Sequence, residues 1–246
     1  MILEQDWATK SEELERFSTD QLISWALETF QPRIALASSF QAEESVLIDM
    51  ICRLKGSEVR VFTLDTGRLN QETYDCMAAL KDRYGIEIEV YFPEADRVEQ
   101  MVNEHGINLF YKSPALRKTC CSIRKVEPLG RALKNLDAWM TGLRREQAAT
   151  RTQVQKVEID CEHGNIVKIN PLVDWSQKQV WEYISARDIP YNKLHDEGFP
   201  SIGCAPCTRA IKPWEDIRAG RWWWENPEAK ECGLHISSEA LKEAKL

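Results

Sequence analysis

The feature that most constrains this chain is a rhythm running through its first two-thirds, in which short apolar runs alternate with segments of helical spacing. RIALASS reads as a buried strand and turn, AEESVLIDMICRL as a helix, and SEVRVFTLDTG as a strand ending in a polar turn. QETYDCMAALKDRYG is a helix closed by Gly85, and IEIEVYFP is a strand stopped by Pro93. RKVEPLGRALKN supplies a further helix and LDAWMTGL a further strand. Ahead of them, SEELERFSTDQLISWALETF has helical spacing, with Ser18 as a cap between two short helices. Strands separated by crossover helices pair in parallel, so the expected fold is α/β, a mostly parallel sheet with helices on both faces.

The last third differs. After a strand end and a helix beginning at Ser176, prolines 190, 200, 206, 213 and 227 punctuate a stretch rich in glycine and aromatic residues. The expectation is one domain over residues 1–212, with residues 213–246 as a C-terminal lid belonging to it. The chain has 246 residues and a net charge of −7, which argues against a general affinity for nucleic acid or for anionic membranes. The opening MILEQDWATKSEELERF has no apolar core of a secretory signal, and no run approaches the roughly 18 apolar residues of a membrane span. A cytoplasmic location is expected.

Eight cysteines in such a chain point to metal or redox chemistry rather than to a disulfide scaffold. Cys120 and Cys121 are adjacent in KTCCSIRK, and Cys204 and Cys207 form a C-x-x-C in GCAPCTR. A zinc site, a redox dithiol and an iron–sulfur site are all open to a C-x-x-C. The dithiol lacks its context, since GFPSIG precedes the motif and Pro213 interrupts soon after it. Adjacency favours a cluster, whose separate iron corners neighbouring cysteines can take without converging on one point. Cys52 and Cys76 sit on apolar helix faces and read as core residues, and Cys161 falls in a turn. Cys232 stands apart in KECGLH, where Arg218, Arg221 and His235 are the cations that could raise its thiolate fraction.

Taken in order, KTCCSIRKVEPL, IGCAPCTR and KECGLH resemble the assimilatory sulfonucleotide reductases, specifically the iron–sulfur-containing adenylyl-sulfate (APS) reductases. SSFQAEES, LDTG, TGLRREQAATR, LHDEGFPSIGCAPC and GRWWWE extend the likeness from about residue 33 to residue 235. The resemblance implies an adenine-nucleotide α-hydrolase-like fold and an enzyme that reduces adenylyl sulfate to sulfite and AMP in sulfate assimilation. It implies thioredoxin, or a glutaredoxin-like protein, as electron donor, and a homo-oligomeric state is expected with it. By the same resemblance Cys120, Cys121, Cys204 and Cys207 would ligate a [4Fe–4S] cluster and Cys232 would be the nucleophile. Lys125 would lie between cluster and substrate, and Arg151, Arg218 and Arg221 would contact the phosphosulfate.

The residues add their own expectations. Arg144, Arg145 and Arg151 follow a strand end, where α/β sheets place ligands, and guanidinium groups suit tetrahedral oxyanions. One of Arg144 and Arg145 is read instead as a solvated helix start. Ser38 and Ser39 open a helix whose N–H groups could face an anion, but the glycines of a triphosphate loop are missing, which weighs against ATP. Leu64 and Thr66 of LDTG could hold the nucleoside; a plain turn through Asp65 and Gly67 is the bland alternative. The rival activities are the same chemistry on phosphoadenylyl sulfate, an ATP-dependent adenylation, and a non-catalytic metal-binding nucleotide sensor.

Overall fold

The computed structural model describes residues 4–56, 58–148 and 151–225, and the chain divides into two compact units. The first comprises Met1–Thr63, Gln71–Glu89 and Asn135–Leu194. It holds α1 (Glu4–Leu14), α2 (Thr19–Phe30), β1 (Ile34–Ala37), α3 (Ala42–Lys55), α4 (Gln71–Tyr84), β4 (Ala138–Met140), β5 (Val157–Asp160), β6 (Ile166–Ile169) and α8 (Gln177–Arg187), with β2 (Val61–Leu64) and the start of β3 (Ile88–Tyr91) at its bounds. The six strands form one sheet in the order β3-β2-β1-β4-β6-β5. β1 pairs in parallel with β2 and with β4, β4 pairs in parallel with β6, and β5 runs antiparallel to β6 at the edge. The expected mostly parallel α/β fold is borne out.

The central strands are apolar throughout because both their faces are covered. Ile34, Ala35 and Leu36 of β1 and Ala138, Trp139 and Met140 of β4 are all buried. α2 begins where Ser18 and Gln21 cap each other: the Gln21 N–H donates to Ser18 Oγ at 3.3 Å and the Ser18 N–H to Gln21 Oε1 at 2.9 Å. Ser176 and Gln179 repeat this arrangement at the start of α8. The chain order reverses between β1 and β4, so the loops after these two strands flank the crevice where open α/β sheets take their ligands.

The second unit comprises Leu64–Asn70, Val90–Lys134 and His195–Leu246, and contains α5 (Ala95–His105), α6 (Pro114–Cys121) and α7 (Glu127–Leu133). Its small core gathers Met101, Leu109, Phe110, Ile123 and Trp222 together with Cys120, Cys204 and Cys207. Among the described residues no helix is long and apolar enough to cross a membrane.

Candidate active site

α6 is fixed at its start by Ser113, whose Oγ accepts the Leu116 N–H at 3.2 Å, and by Pro114 in the first turn. It ends at Cys121, where the helix widens into a π turn over Ser122–Val126 before α7 continues. There the Glu127 N–H reaches the Ser122 carbonyl five residues back. Pro128 has no N–H to give the Arg124 carbonyl, so the ordinary helical ladder cannot run through this turn. Side chains of neighbouring helical residues diverge by about 100°. Cys120 and Cys121 therefore reach the same cavity from different directions.

The C-x-x-C is held on a single tight turn, Ala205–Cys207. The Cys207 N–H donates to the Cys204 carbonyl at 2.9 Å, and the Ala205 N–H donates to the Arg68 carbonyl at 2.8 Å. Gly203 precedes it and lets the Arg221 guanidinium pack close: a Cβ there would lie 2.5 Å from it, so the arginine would have to shift. All four thiols line one cavity with Arg68, Arg117, Arg124, Lys125, Phe110 and Pro206.

Charge in this cavity is unevenly shared. Burial alone would raise the Cys204 thiol, but Lys125, the Thr66 hydroxyl at 3.3 Å, Arg221 and Arg124 outweigh it and hold the pKa below the usual thiol range. Cys207 is pushed up to about 12 by burial and by the neighbouring cysteines, and burial raises Cys120 too, against the opposing charge of Arg124. Among the described residues, no three His, Cys, Asp or Glu side chains are placed to hold a single metal ion. Four soft sulfur donors that line one cavity without converging on a single ion, with cations beside them, fit a polynuclear iron–sulfur group, whose corners each need one thiolate.

The LDTG turn backs two of the residues that line this cavity. Thr66 is buried, with its hydroxyl against Cys204 and its carbonyl accepting from Arg124 at 2.7 Å. Asp65 closes the turn by accepting the Gly67 N–H at 2.7 Å, while Leu64 ends β2. Thr66, read in the sequence as a nucleoside contact, thus touches a cluster-ligand candidate.

In the first unit, the loops at the reversal point carry Ser38, Ser39, Arg144 and Arg151. Ser38 extends β1 through its N–H to the Phe62 carbonyl at 2.8 Å. Glu44 turns back over the start of α3, accepting from the Ser39 hydroxyl and the Gln41 N–H at 3.1 Å each. Burial, with the Glu43 charge beside it, raises its pKa to about 7. A carboxyl of the chain itself therefore caps the first N–H of this helix start, beside Ser39.

Arg144 is buried and spans two carboxylates, Glu43 and Glu146, each at 2.8 Å. Arg145 opens a short 3-10 turn, is about one-third exposed and pairs with Glu15 and Asp174. Arg151 is buried and donates to Gln147 Oε1 at 2.5 Å.

In the second unit the Arg221 guanidinium donates to the Ile202 carbonyl at 3.1 Å and stacks 4.9 Å from the Trp222 ring centroid. Arg218 begins the turn that presents it, its carbonyl accepting the Arg221 N–H at 2.9 Å. Cys232 and His235 lie outside the described residues. Cys76 is buried in the main core, Cys52 packs partly buried against it, and Cys161 is exposed. Sequence reasoning missed Arg117 and Arg124. Their signal was present: Arg117 lies one helical turn before the cysteine pair, and Arg124 one turn after it.

A family model described as the phosphoadenosine phosphosulfate reductase domain matches residues 33–210. The chain belongs to this family. Within the family it is 52% identical over 206 residues to an adenosine 5'-phosphosulfate reductase of Burkholderia cepacia, covering 84% of this chain and 82% of that one. It is likewise 52% identical over 202 residues to the protein of that name from Allochromatium vinosum, covering 82% and 78%. The crystal structure of a phosphoadenylyl-sulfate reductase from Candida auris superposes with a TM-score of 0.71 at 29% identity, covering 86% of this chain and 98% of that one.

Proposed function

We propose that this family member reduces adenylyl sulfate to sulfite and AMP in sulfate assimilation. The observation that carries the substrate assignment is the 52% identity, across 78–84% of the chains compared, to proteins named for that nucleotide. The four-thiol cavity supports the iron–sulfur branch of the family. Cys120, Cys121, Cys204 and Cys207 would hold a [4Fe–4S] cluster, with Thr66, Lys125 and Arg124 facing their sulfurs. When bound, such a cluster supplies a compact anionic, redox-capable centre beside the reaction.

The chain's own residues then divide the work. Cys232, as its thiolate, attacks the sulfur of adenylyl sulfate; the S–O bond breaks, AMP leaves with the electron pair, and an enzyme thiosulfonate forms. Lys125, Arg218 and Arg221, with His235 three positions after Cys232 in the sequence, supply positive charge against the repulsion between thiolate and sulfate. A thiolate of thioredoxin, or of a glutaredoxin-like dithiol, attacks Cys232 Sγ and releases sulfite. Its second thiol resolves the mixed disulfide, so the two electrons that reduce the sulfur come from the dithiol. Residues 213–246 act as the lid that closes over the nucleotide and opens for the reductant. Ser38, Ser39, Leu64, Asp65, Thr66, Gly67, Arg144 and Arg151 serve the nucleotide, Arg144 through the two carboxylates it holds and Thr66 also through Cys204.

The test is sulfite release with a thioredoxin system, comparing kcat/KM for adenylyl sulfate and its 3′-phosphorylated form. Preference for adenylyl sulfate is expected. Preference for the phosphorylated nucleotide overturns the substrate assignment, and nucleotide binding without sulfite makes the chain a sensor.

A further inference from the structure

The guanidinium of Arg117 is buried in the second unit among a carboxylate, an indole ring and a cysteine. It grips Glu225 through two bonds, Nε to Oε1 at 3.0 Å and Nη2 to Oε2 at 2.8 Å, and the two side chains are only 1% and 2% exposed. It lies 4.5 Å from the Trp222 ring centroid. Four residues along α6, on the same helix face, Cys121 takes a hydrogen bond from it. Arg117 and Cys121 both line the four-thiol cavity.

A buried arginine–glutamate pair is a poor way to stabilise a core, because desolvation offsets most of the attraction. A bidentate fork does fix the guanidinium in place and in orientation. The pair is neutral as a whole, yet its cation is the half that meets sulfur. A cation against a thiolate sulfur stabilises electron density there, and the carboxylate behind it tempers the effect. The neighbours of the other thiols differ: Cys204 faces Lys125, Thr66, Arg221 and Arg124, and Cys120 faces Arg124 and Arg68.

We propose that Arg117 is a positioning residue for the group held by the four thiols: anchored by Glu225, it fixes the Cys121 sulfur and biases the electron density at that corner. This rests on the reading of the cavity as an iron–sulfur site. Arg117 acts through Cys121 rather than on the nucleotide.

Substitutions on opposite sides of the pair separate this role from plain support. Arg117→Gln removes the cation and leaves the carboxylate, whereas Glu225→Gln leaves the cation without its counter-charge. The full chains are purified anaerobically and analysed for iron and acid-labile sulfide. Midpoint potential is measured by anaerobic reductive titration followed by EPR, and the energy of the thiolate-to-iron charge-transfer absorption on the same samples before reduction. Reduction adds negative charge, so Arg117→Gln should be harder to reduce than the parent and Glu225→Gln easier. The expected change is about tenfold in the reduction equilibrium in each direction, or about 59 mV for one electron. The charge-transfer band should move to lower energy in Arg117→Gln, where sulfur gives up its electron more readily, and to higher energy in Glu225→Gln. Arg117→Lys keeps the charge without the fork and should fall between Arg117→Gln and the parent.

Shifts of the same sign in both glutamine variants, or no shift in either measurement, overturn the proposal. So does loss of folding or of iron in all three variants, because the pair is then structural support only. Should one glutamine variant fail to load iron, the sign of the shift in the other decides. A parent protein without iron and sulfide fails the cluster reading instead, so the two failures are distinguished.

Discussion

Replacing Glu44 by glutamine should make the protein more stable above neutral pH and leave it unchanged in acid. The Glu44 carboxyl is buried next to Glu43, and its pKa rises from the ordinary 4.5 to about 7. The folded state therefore holds this proton more tightly than the unfolded chain does. Between these two pH values the folded state binds more protons, so stability falls as pH rises through the window and levels off above it. The full loss is about 3 kcal/mol, at about 1.4 kcal/mol for each tenfold change in proton affinity. Glutamine keeps an oxygen to accept from the Ser39 hydroxyl and the Gln41 N–H, but carries no charge to desolvate.

Urea unfolding followed by circular dichroism at a series of pH values from 4.5 to 8 is the assay, with thermal melts alongside. The variant should match the parent at the acid end and gain up to about 3 kcal/mol at pH 8, equivalent to about 6 °C in Tm for a chain of this size. A difference that does not vary with pH, or a variant weaker than the parent at pH 8, refutes the reasoning that burial and Glu43 disfavour the ionised carboxylate.

Two further outcomes follow from the second unit. A Cβ at Gly220 would fall inside the van der Waals envelope of the Arg209 carbonyl oxygen, which is backbone and cannot swing aside; Gly220→Ala should cost about 1–3 kcal/mol in chemical unfolding. Cys204→Ser should abolish stoichiometric iron and acid-labile sulfide in anaerobically purified protein, whereas Cys161→Ser, at an exposed position away from the cavity, should retain both; equal loading in the two variants, or zinc in place of iron in the parent, contradicts the cluster assignment.

The strands were legible because burial on both faces leaves little choice of residue: IALA and AWM can be little else in a chain of this rhythm. The Ser18 cap was legible because its partner is only three residues away. α5 was not identified, although Val98, Met101 and Val102 carry helical spacing, because ADRVEQMVNEH is polar around them. The site divides in the same way. Cys120, Cys121, Cys204 and Cys207 announced themselves by spacing. The Thr66 hydroxyl against Cys204, 138 residues away, and the Arg117–Glu225 pair, 108 residues apart, are tertiary contacts with no local signature. At the start of α3 the Glu44 carboxylate, three residues on, accepts the Gln41 N–H and the Ser39 hydroxyl, a local capping contact that the sequence reading did not identify.

The proposed reaction turns on Cys232 accepting the sulfur of its substrate. The direct measurement is the intact mass of the anaerobic protein after incubation with adenylyl sulfate and no reductant, followed by peptide mapping. One SO₃ added at Cys232, with AMP released in equal amount, is the predicted result. An unmodified Cys232 beside consumed adenylyl sulfate, or the adduct on any other cysteine, would contradict it.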